Sequence, residues 1–244
     1  SIGRSGLVHL MVDTNGNFLG AKRIIGHSAN QFVRLLDVSS FTDGSLFLHL
    51  FASGDNQFYL NQNEVKIPAS RWDYNVIVKT DTSYQDYLYK VLNTDQQHLM
   101  SPGNQFCPST ISGNFVFMVF NNEARSTPAV PYYIDNVLQA SQHNHFYVFD
   151  SSLALRYSAN LGNSVVGNYP LNRTKHRIFF RHILVQKGQV FLNGMFTGTN
   201  ESLPNSLPAK NVTVPILPGA LSTINLNGPS KSFVAKFNFD LSDG

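Results

Sequence analysis

The chain of 244 residues carries 18 Lys and Arg against 15 Asp and Glu, and the net charge of +3 is too small to indicate nucleic-acid binding by itself. Its single cysteine, Cys107, excludes an internal disulfide, and no apolar run approaches the roughly 20 residues of a membrane-spanning helix. A chain of this length can bury a full core, so we predict one domain over residues 1–244.

Short apolar runs, separated by turns rich in Asn, Gly, Ser and Pro, recur from end to end and indicate β-strands. Strands are predicted at residues 7–12, 18–25, 46–51, 57–60, 64–67, 74–79, 115–120, 146–149, 177–185 and 233–239. Asn15-Gly16 predicts a hairpin with a type I′ turn between the first two, and Lys187-Gly188 predicts the tip of a later hairpin. The run at 46–51 is apolar at successive positions, which predicts burial on both faces. Residues 233–239 alternate as a half-buried strand does.

Residues 81–92 form the one predicted helix, because aromatic and aliphatic residues recur there at helical spacing and Asp81 or Thr82 can cap its start. Residues 93–112 and 121–131 are predicted to be long surface loops. Four prolines at 204, 208, 215 and 218 make residues 200–220 a predicted extended arm or edge segment, since proline cannot donate to a central sheet. The expected fold is all-β, a jelly-roll-like two-sheet sandwich with long loops and at most one or two short helices.

A basic segment is the first candidate site. Arg173, Lys175, Arg177 and Arg181 concentrate positive charge. If residues 175–181 are extended, the last three share one face, while His182 lies on the opposite face with Phe180. Such a face could contact RNA phosphates, an acidic glycan or carboxylates of a neighbouring subunit, and the alternative is an ordinary solvated strand face.

His143 and His145 are the candidate metal ligands, because residues two apart in a strand share a face. The His-x-His pattern resembles that of metal-binding cupins, which implies a metal-dependent enzyme. The resemblance covers three residues, and Phe149 stands where cupins usually supply a glutamate. The alternative is two loop histidines that make surface hydrogen bonds.

Trp72, which follows Arg71, and Tyr132 and Tyr133, which follow Pro131, are the aromatic residues that we predict to form exposed platforms. Aromatic faces can stack on sugar rings, so these three residues are candidates for a carbohydrate site. The other aromatic residues lie mostly within the predicted strands and are expected in the core.

The composition favours a structural role. Charged residues make up 14% of the chain, against roughly 25% in typical soluble domains. The 25 Asn and 24 Ser supply neutral polar surface, which suits subunits that pack together, because desolvating charge is costly. No complete catalytic or cofactor motif is present, so neither an enzyme nor a cofactor is expected.

The leading expectation is a non-enzymatic structural or attachment subunit of a virus or phage particle, either a capsid protein or a receptor-binding fibre head, located in the virion. Its partners would be copies of itself, sister subunits and a host glycan or receptor, with weak RNA or DNA contact and no membrane span. An extracellular, lectin-like sandwich is the alternative, and a cupin-type metal-dependent enzyme is the second alternative.

Overall fold

The apolar runs of the sequence form β-strands in a computed structural model of the chain. The structure describes residues 5–27, 32–53, 57–60, 63–66, 74–92, 107–120, 132–134, 137–139, 143–163, 165–166, 175–199, 210–216, 220–226 and 230–238. The regular elements in these ranges are strands, and their described pairings are antiparallel. The predicted sandwich is therefore confirmed as an all-β fold of antiparallel sheets. Among the described residues, no helix is long and apolar enough to cross a membrane.

Twenty strands follow one another along the chain. They are β1 (Ser5–Val12), β2 (Phe18–His27), β3 (Phe32–Ser40), β4 (Leu46–Ser53), β5 (Gln57–Leu60), β6 (Asn63–Lys66), β7 (Tyr74–Thr80), β8 (Tyr87–Val91), β9 (Ser109–Ser112), β10 (Phe115–Phe120), β11 (Tyr132–Ile134), β12 (Val137–Gln139), β13 (His143–Asp150), β14 (Leu155–Asn163), β15 (Val165–Val166), β16 (Lys175–Gln186), β17 (Gln189–Thr199), β18 (Lys210–Ile216), β19 (Ala220–Leu226) and β20 (Ser230–Asn238). All ten predicted strands are present, with ends that differ by a few residues.

The chain divides into two units, and the predicted single domain stays a prediction. The first unit contains Ser1–Leu99 and Tyr132–Leu138, and the second contains Met100–Pro131 and Gln139–Gly244. Sheet A (β1-β2-β5-β6) and sheet B (β3-β4-β7-β8) belong to the first unit. Sheet C (β14-β13-β10-β9), sheet D (β15-β16-β17-β20) and the β18-β19 pair belong to the second.

One face of sheet B forms the core of the first unit. Its buried side chains are Val33, Leu48, Leu50, Val76 and Val78, joined by Tyr84 from the turn before β8. The other face of the central strands β4 and β7 is buried as well, at Phe47, His49, Phe51, Asn75 and Ile77. The prediction that residues 46–51 are buried on both faces is thus confirmed for residues 47–51.

Sheets C and D pack together as a sandwich in the second unit. Sheet C contributes Phe117, Val119, Phe146, Val148 and Leu161 to the shared core. Sheet D contributes Phe180, Ile183, Val190, Leu192 and Ala235. Around Ala235 the predicted alternation holds, because Val234 and Lys236 on either side of it are exposed.

The predicted helix at residues 81–92 is wrong. Residues 81–86 form a turn, and β8 follows as the outer strand of sheet B. Its pairing with β7, from Thr80 opposite Tyr87 to Val76 opposite Val91, satisfies backbone groups that a helix would have bonded locally. The aromatic and β-branched residues that matched a helical period also suit a strand, and tertiary pairing decides between the two.

The predicted loop at 93–112 is wrong at its end, where Ser109–Ser112 forms β9 and pairs with β10 across the Gly113-Asn114 turn. The predicted loop at 121–131 lies outside the described residues. Of the predicted arm at 200–220, only residues 210–216 and 220 are described. Residues 210–216 form β18, which among the described strands pairs with β19. Pro215 is tolerated there because the strand has one neighbour.

The Asn15-Gly16 hairpin is confirmed, but its turn is longer than predicted. Only Gly16 has a positive φ, of 83°, and Asp13 and Asn17 close a three-residue loop through a backbone hydrogen bond of 2.9 Å. A type I turn followed by a left-handed residue is the usual form of such a loop. At the Lys187-Gly188 tip both φ values are positive, at 51° and 70°, as a two-residue type I′ turn requires.

Three hairpins of the protein close through one recurring turn that begins at an aspartate. The three turns start at Asp13, Asp81 and Asp150. In each, the aspartate carbonyl accepts the N–H of the residue three positions on at 2.9–3.1 Å, and carboxylate Oδ1 accepts the N–H four positions on at 2.8–3.0 Å. The residue three positions after the aspartate has a left-handed backbone conformation in every case; these residues are Gly16, Tyr84 and Leu153. Tyr84 and Leu153 are buried, and this burial holds non-glycine residues in an unfavourable conformation.

These hydrogen bonds lower the pKa of the three aspartates and so make the stability of the turns depend on pH. Asn17 lowers the pKa of Asp13, and Ser83 lowers the pKa of Asp81. At Asp150 partial burial raises the pKa, but hydrogen bonds from Ser152, Ala154 and Arg156 outweigh it, and the net pKa lies below the ordinary value of 3.8. Carboxylates with a lowered folded pKa stabilise the fold above their unfolded pKa, and this stabilisation is lost as the pH falls through the folded pKa.

Replacing Asp150 tests this role. We expect Asp150→Asn to lower the free energy of unfolding at pH 7 by about 1–2 kcal/mol, because charge-assisted bonds to two backbone N–H groups and Arg156 are lost. The variant should also lose less stability than the native chain between pH 7 and pH 3, as followed by urea unfolding. Asp86→Asn is the matched control, since the Asp86 carboxylate has no hydrogen-bond partner among the described residues. Equal losses in the native chain and in Asp150→Asn on acidification would contradict the assignment.

Candidate functional site

The predicted basic segment forms β16 of sheet D. Lys175, Arg177 and Arg181 lie in this strand, and Arg173 lies outside the described residues. The side chains of Lys175 and Arg177 are also outside the described part of the chain, whereas Arg181 is exposed. The segment is extended as predicted, and its contact with RNA, glycan or a neighbour stays a prediction.

A β-bulge at Arg181 overturns the predicted faces of this strand. Phe180 and His182 pair with consecutive residues of β17, so Arg181 is the extra residue. Phe180 and Ile183 are buried, whereas Arg181 and His182 are both exposed. The prediction that His182 shares a face with Phe180 is wrong, because the bulge shifts the alternation by one position.

Strand pairing gathers further cations that the sequence analysis did not connect with this segment. Lys187 lies at the β16–β17 turn, and Lys231 and Lys236 lie in β20, which pairs with β17. The strands of sheet D and this turn together carry six Lys and Arg and no Asp or Glu. Lys236 Nζ lies 5.5 Å from the centre of the Phe191 ring, within the range of a cation–π contact.

His145 is a packed histidine within β13. Its ring stacks on that of Tyr147, with centroids 5.7 Å apart and planes 8° apart, and both rings are buried. The alternative prediction of surface loop histidines is therefore wrong for His145. The side chain of His143 lies outside the described residues, and no group of three His, Cys, Asp or Glu able to hold a metal occurs in the described ranges. The metal site at His143 and His145 stays a prediction.

The structure describes no contact among the three aromatic residues that were predicted to stack on sugar rings. Trp72 lies outside the described residues. Tyr132 and Tyr133 lie in the short strand β11, but their side chains are outside the described part. The carbohydrate site therefore stays a prediction.

A buried polar pair lies on the second face of sheet B, where His49 interrupts the otherwise apolar run at 46–51. His49 Nε2 is 3.0 Å from Asn75 Oδ1, and neither side chain is exposed. The Asn75 amide nitrogen has no hydrogen-bond partner in the part of the chain that the structure describes.

Among the described residues, the largest group of exposed apolar side chains lies on the β1–β2 hairpin. Val8, Leu10, Val12 and Phe18 are between 54% and 65% exposed. The register places them on one face, since Val12 is opposite Phe18 and Leu10 is opposite the exposed Ala21. We call these five side chains the apolar hairpin face.

The opposite side of the hairpin points to the core of the first unit. His9 lies there, and its Nδ1 is 2.6 Å from the hydroxyl of the buried Tyr84. This hydrogen bond fixes which face is outside. Sequence reasoning missed the apolar hairpin face because Leu10, Met11 and Val12 are consecutive apolar residues, a pattern that indicates burial on both sides.

Two surfaces thus stand out in the described residues, the apolar hairpin face in the first unit and sheet D in the second. The first can form apolar contacts and the second can attract anions. No protein-family model matches the sequence, and no curated protein matches it either.

Proposed function

We propose that the protein is a non-enzymatic structural subunit that assembles with copies of itself, as coat and attachment proteins of virus particles do. The observation that carries the proposal is the apolar hairpin face. Its occupant is the same face of a second copy. The low charge and high Asn and Ser content support the same role, because desolvating neutral polar groups costs less free energy than desolvating charged groups. In this proposal the protein resides in the virion.

The size of the face supports a specific contact. Four large apolar side chains, each more than half exposed, together with Ala21 and the bulged Leu19 beside them, expose on the order of 500 Å². The largest apolar patch on a typical monomer exposes about 300–600 Å² and is often functional, so a face of this size can serve as an interaction site. A standard interface buries about 800 Å² on each partner, so this face would form the apolar centre and neighbouring polar residues the rim.

The neutral centre of the face is compatible with a second copy as its occupant. In a two-fold contact the same surface faces itself, so a charge close to the two-fold axis would meet the like charge of its partner. The five side chains of the apolar hairpin face are neutral, and the register places the charged Arg23 at one end of the face, opposite Val8.

Sedimentation equilibrium over a range of concentrations tests the proposal. The native chain should associate, and Leu10→Glu should weaken that association at least roughly tenfold by placing an unpaired charge at the contact. Leu184→Glu is the matched control, because Leu184 is 54% exposed but lies in sheet D of the second unit. A native chain that stays monomeric at every concentration, or a Leu10→Glu chain that associates normally, would overturn the proposal. Binding of the monomer to lipid vesicles, abolished by Leu10→Glu, would assign the face to a membrane instead.

A further inference from the structure

The charge of this protein is divided unequally between its two units. The first unit contains eight Lys and Arg against ten Asp and Glu, a net charge of −2. The second unit contains ten Lys and Arg against five Asp and Glu, a net charge of +5. The net charge of +3 for the whole chain therefore conceals a basic unit, within which sheet D carries six cations and no acid.

The exposed face of sheet D combines these cations with apolar surface. Arg181, Lys187 and Lys236 are exposed, and Arg181 is set outward by the bulge in β16. Leu184 lies opposite Phe191, and Phe191 in turn lies opposite Lys236. The exposed Leu184 and the half-buried Phe191 thus lie between the charges. We call the outer face formed by Arg181, Leu184, Lys187, Phe191, Val234 and Lys236 the basic face.

The dimensions of the basic face suit an extended anionic chain. Arg181 and Lys187 are six residues apart, about 20 Å at the usual rise of a strand. Single-strand binding surfaces span about 4–16 nucleotides and combine cations along the backbone with side chains on which bases pack. Leu184 and Val234, which are 54% and 68% exposed, and the half-buried Phe191 ring provide such packing surface.

We propose that the basic face binds single-stranded nucleic acid without sequence preference, with cations on the phosphates and bases on Phe191 and its apolar neighbours. Inorganic polyphosphate would use the charges but gain little from the apolar side chains, because it carries no base or ring to pack on them. A duplex is disfavoured, because a sheet face offers no helix or two-stranded ribbon to enter a groove. The proposal does not depend on self-association, since the apolar hairpin face belongs to the other unit.

The test is fluorescence anisotropy of a labelled 20-nucleotide oligothymidylate titrated with the full chain at several salt concentrations. The native chain should bind, with affinity that falls steeply as salt rises. The double variant Lys187→Glu/Lys236→Glu should bind at least tenfold more weakly. The matched control is Arg34→Glu/Lys90→Glu in sheet B of the first unit, which changes the net charge equally and should bind within twofold of the native chain.

A second pair of measurements separates base contacts from charge alone. Phe191→Leu should weaken oligothymidylate binding about tenfold, as loss of base stacking does, but leave competition by inorganic polyphosphate unchanged. Circular dichroism of each variant checks that the strands are retained. Absence of oligothymidylate binding at low salt, equal effects of the two double variants, or Phe191→Leu binding like the native chain would overturn the proposal. Heparin binding without oligothymidylate binding would also overturn it, in favour of an acidic glycan.

Discussion

Phe146→Ala is expected to destabilise the second unit by about 3–5 kcal/mol, the range for truncating a buried phenylalanine. Phe146 is fully buried at the centre of the sandwich. Its ring lies 6.2 Å from those of both Phe117 and Tyr157, so truncation leaves a cavity lined by aromatic rings. Neighbouring strands cannot close that cavity without breaking the register of β13 with β10 and β14.

Urea unfolding followed by circular dichroism measures this loss, and Phe18→Ala is the matched control. Phe18 is 65% exposed on the apolar hairpin face, so its truncation should change the free energy of unfolding of the monomer by less than about 0.5 kcal/mol. Phe18→Ala should nevertheless weaken self-association. A loss below about 1 kcal/mol for Phe146→Ala would contradict the packing of sheet C on sheet D.

The sequence could predict the strands because each one is a short apolar run closed by its own turn residues. Residues 115–120 illustrate this, since the run ends at Asn121 and begins after Gly113-Asn114. Which strands become neighbours depends on distant segments. Lys236 reaches the basic face only because β20 pairs with β17, and no local pattern near residue 181 specifies that pairing.

The errors arose where local period and tertiary contact disagree. The alternation of polar and apolar residues along β16 does not reveal the bulge at Arg181. The face of His182 was therefore predicted as if the strand were regular. Likewise the consecutive apolar residues at Leu10 and Met11 gave no sign of which side faces solvent. Of the candidate site residues, Arg181 and His145 were the two whose side chains the structure describes, and only Arg181 is exposed.

Tyr84 provides the second large expected effect, because one side chain supports a turn, a core and a contact between two sheets. It is buried in the core of the first unit, holds a left-handed φ of 56°, and is hydrogen-bonded to His9 of β1 at 2.6 Å. Tyr84→Ala keeps the unfavourable φ but removes the ring. We expect a loss of about 3 kcal/mol or more in the free energy of unfolding of the first unit.

Two further variants separate the contribution of the Tyr84 ring from that of its hydroxyl and from the effect of truncating an exposed tyrosine. Tyr84→Phe retains the buried ring and removes only the bond to His9, so it should cost about 1 kcal/mol. Tyr89→Ala is the matched control five residues on, where a tyrosine 42% exposed on β8 should be nearly neutral. If Tyr84→Ala were no more harmful than Tyr89→Ala, the turn at residues 81–86 would not anchor sheet A to sheet B. The outward orientation of the apolar hairpin face would then lose its structural basis, because the His9 contact is what fixes that side of β1.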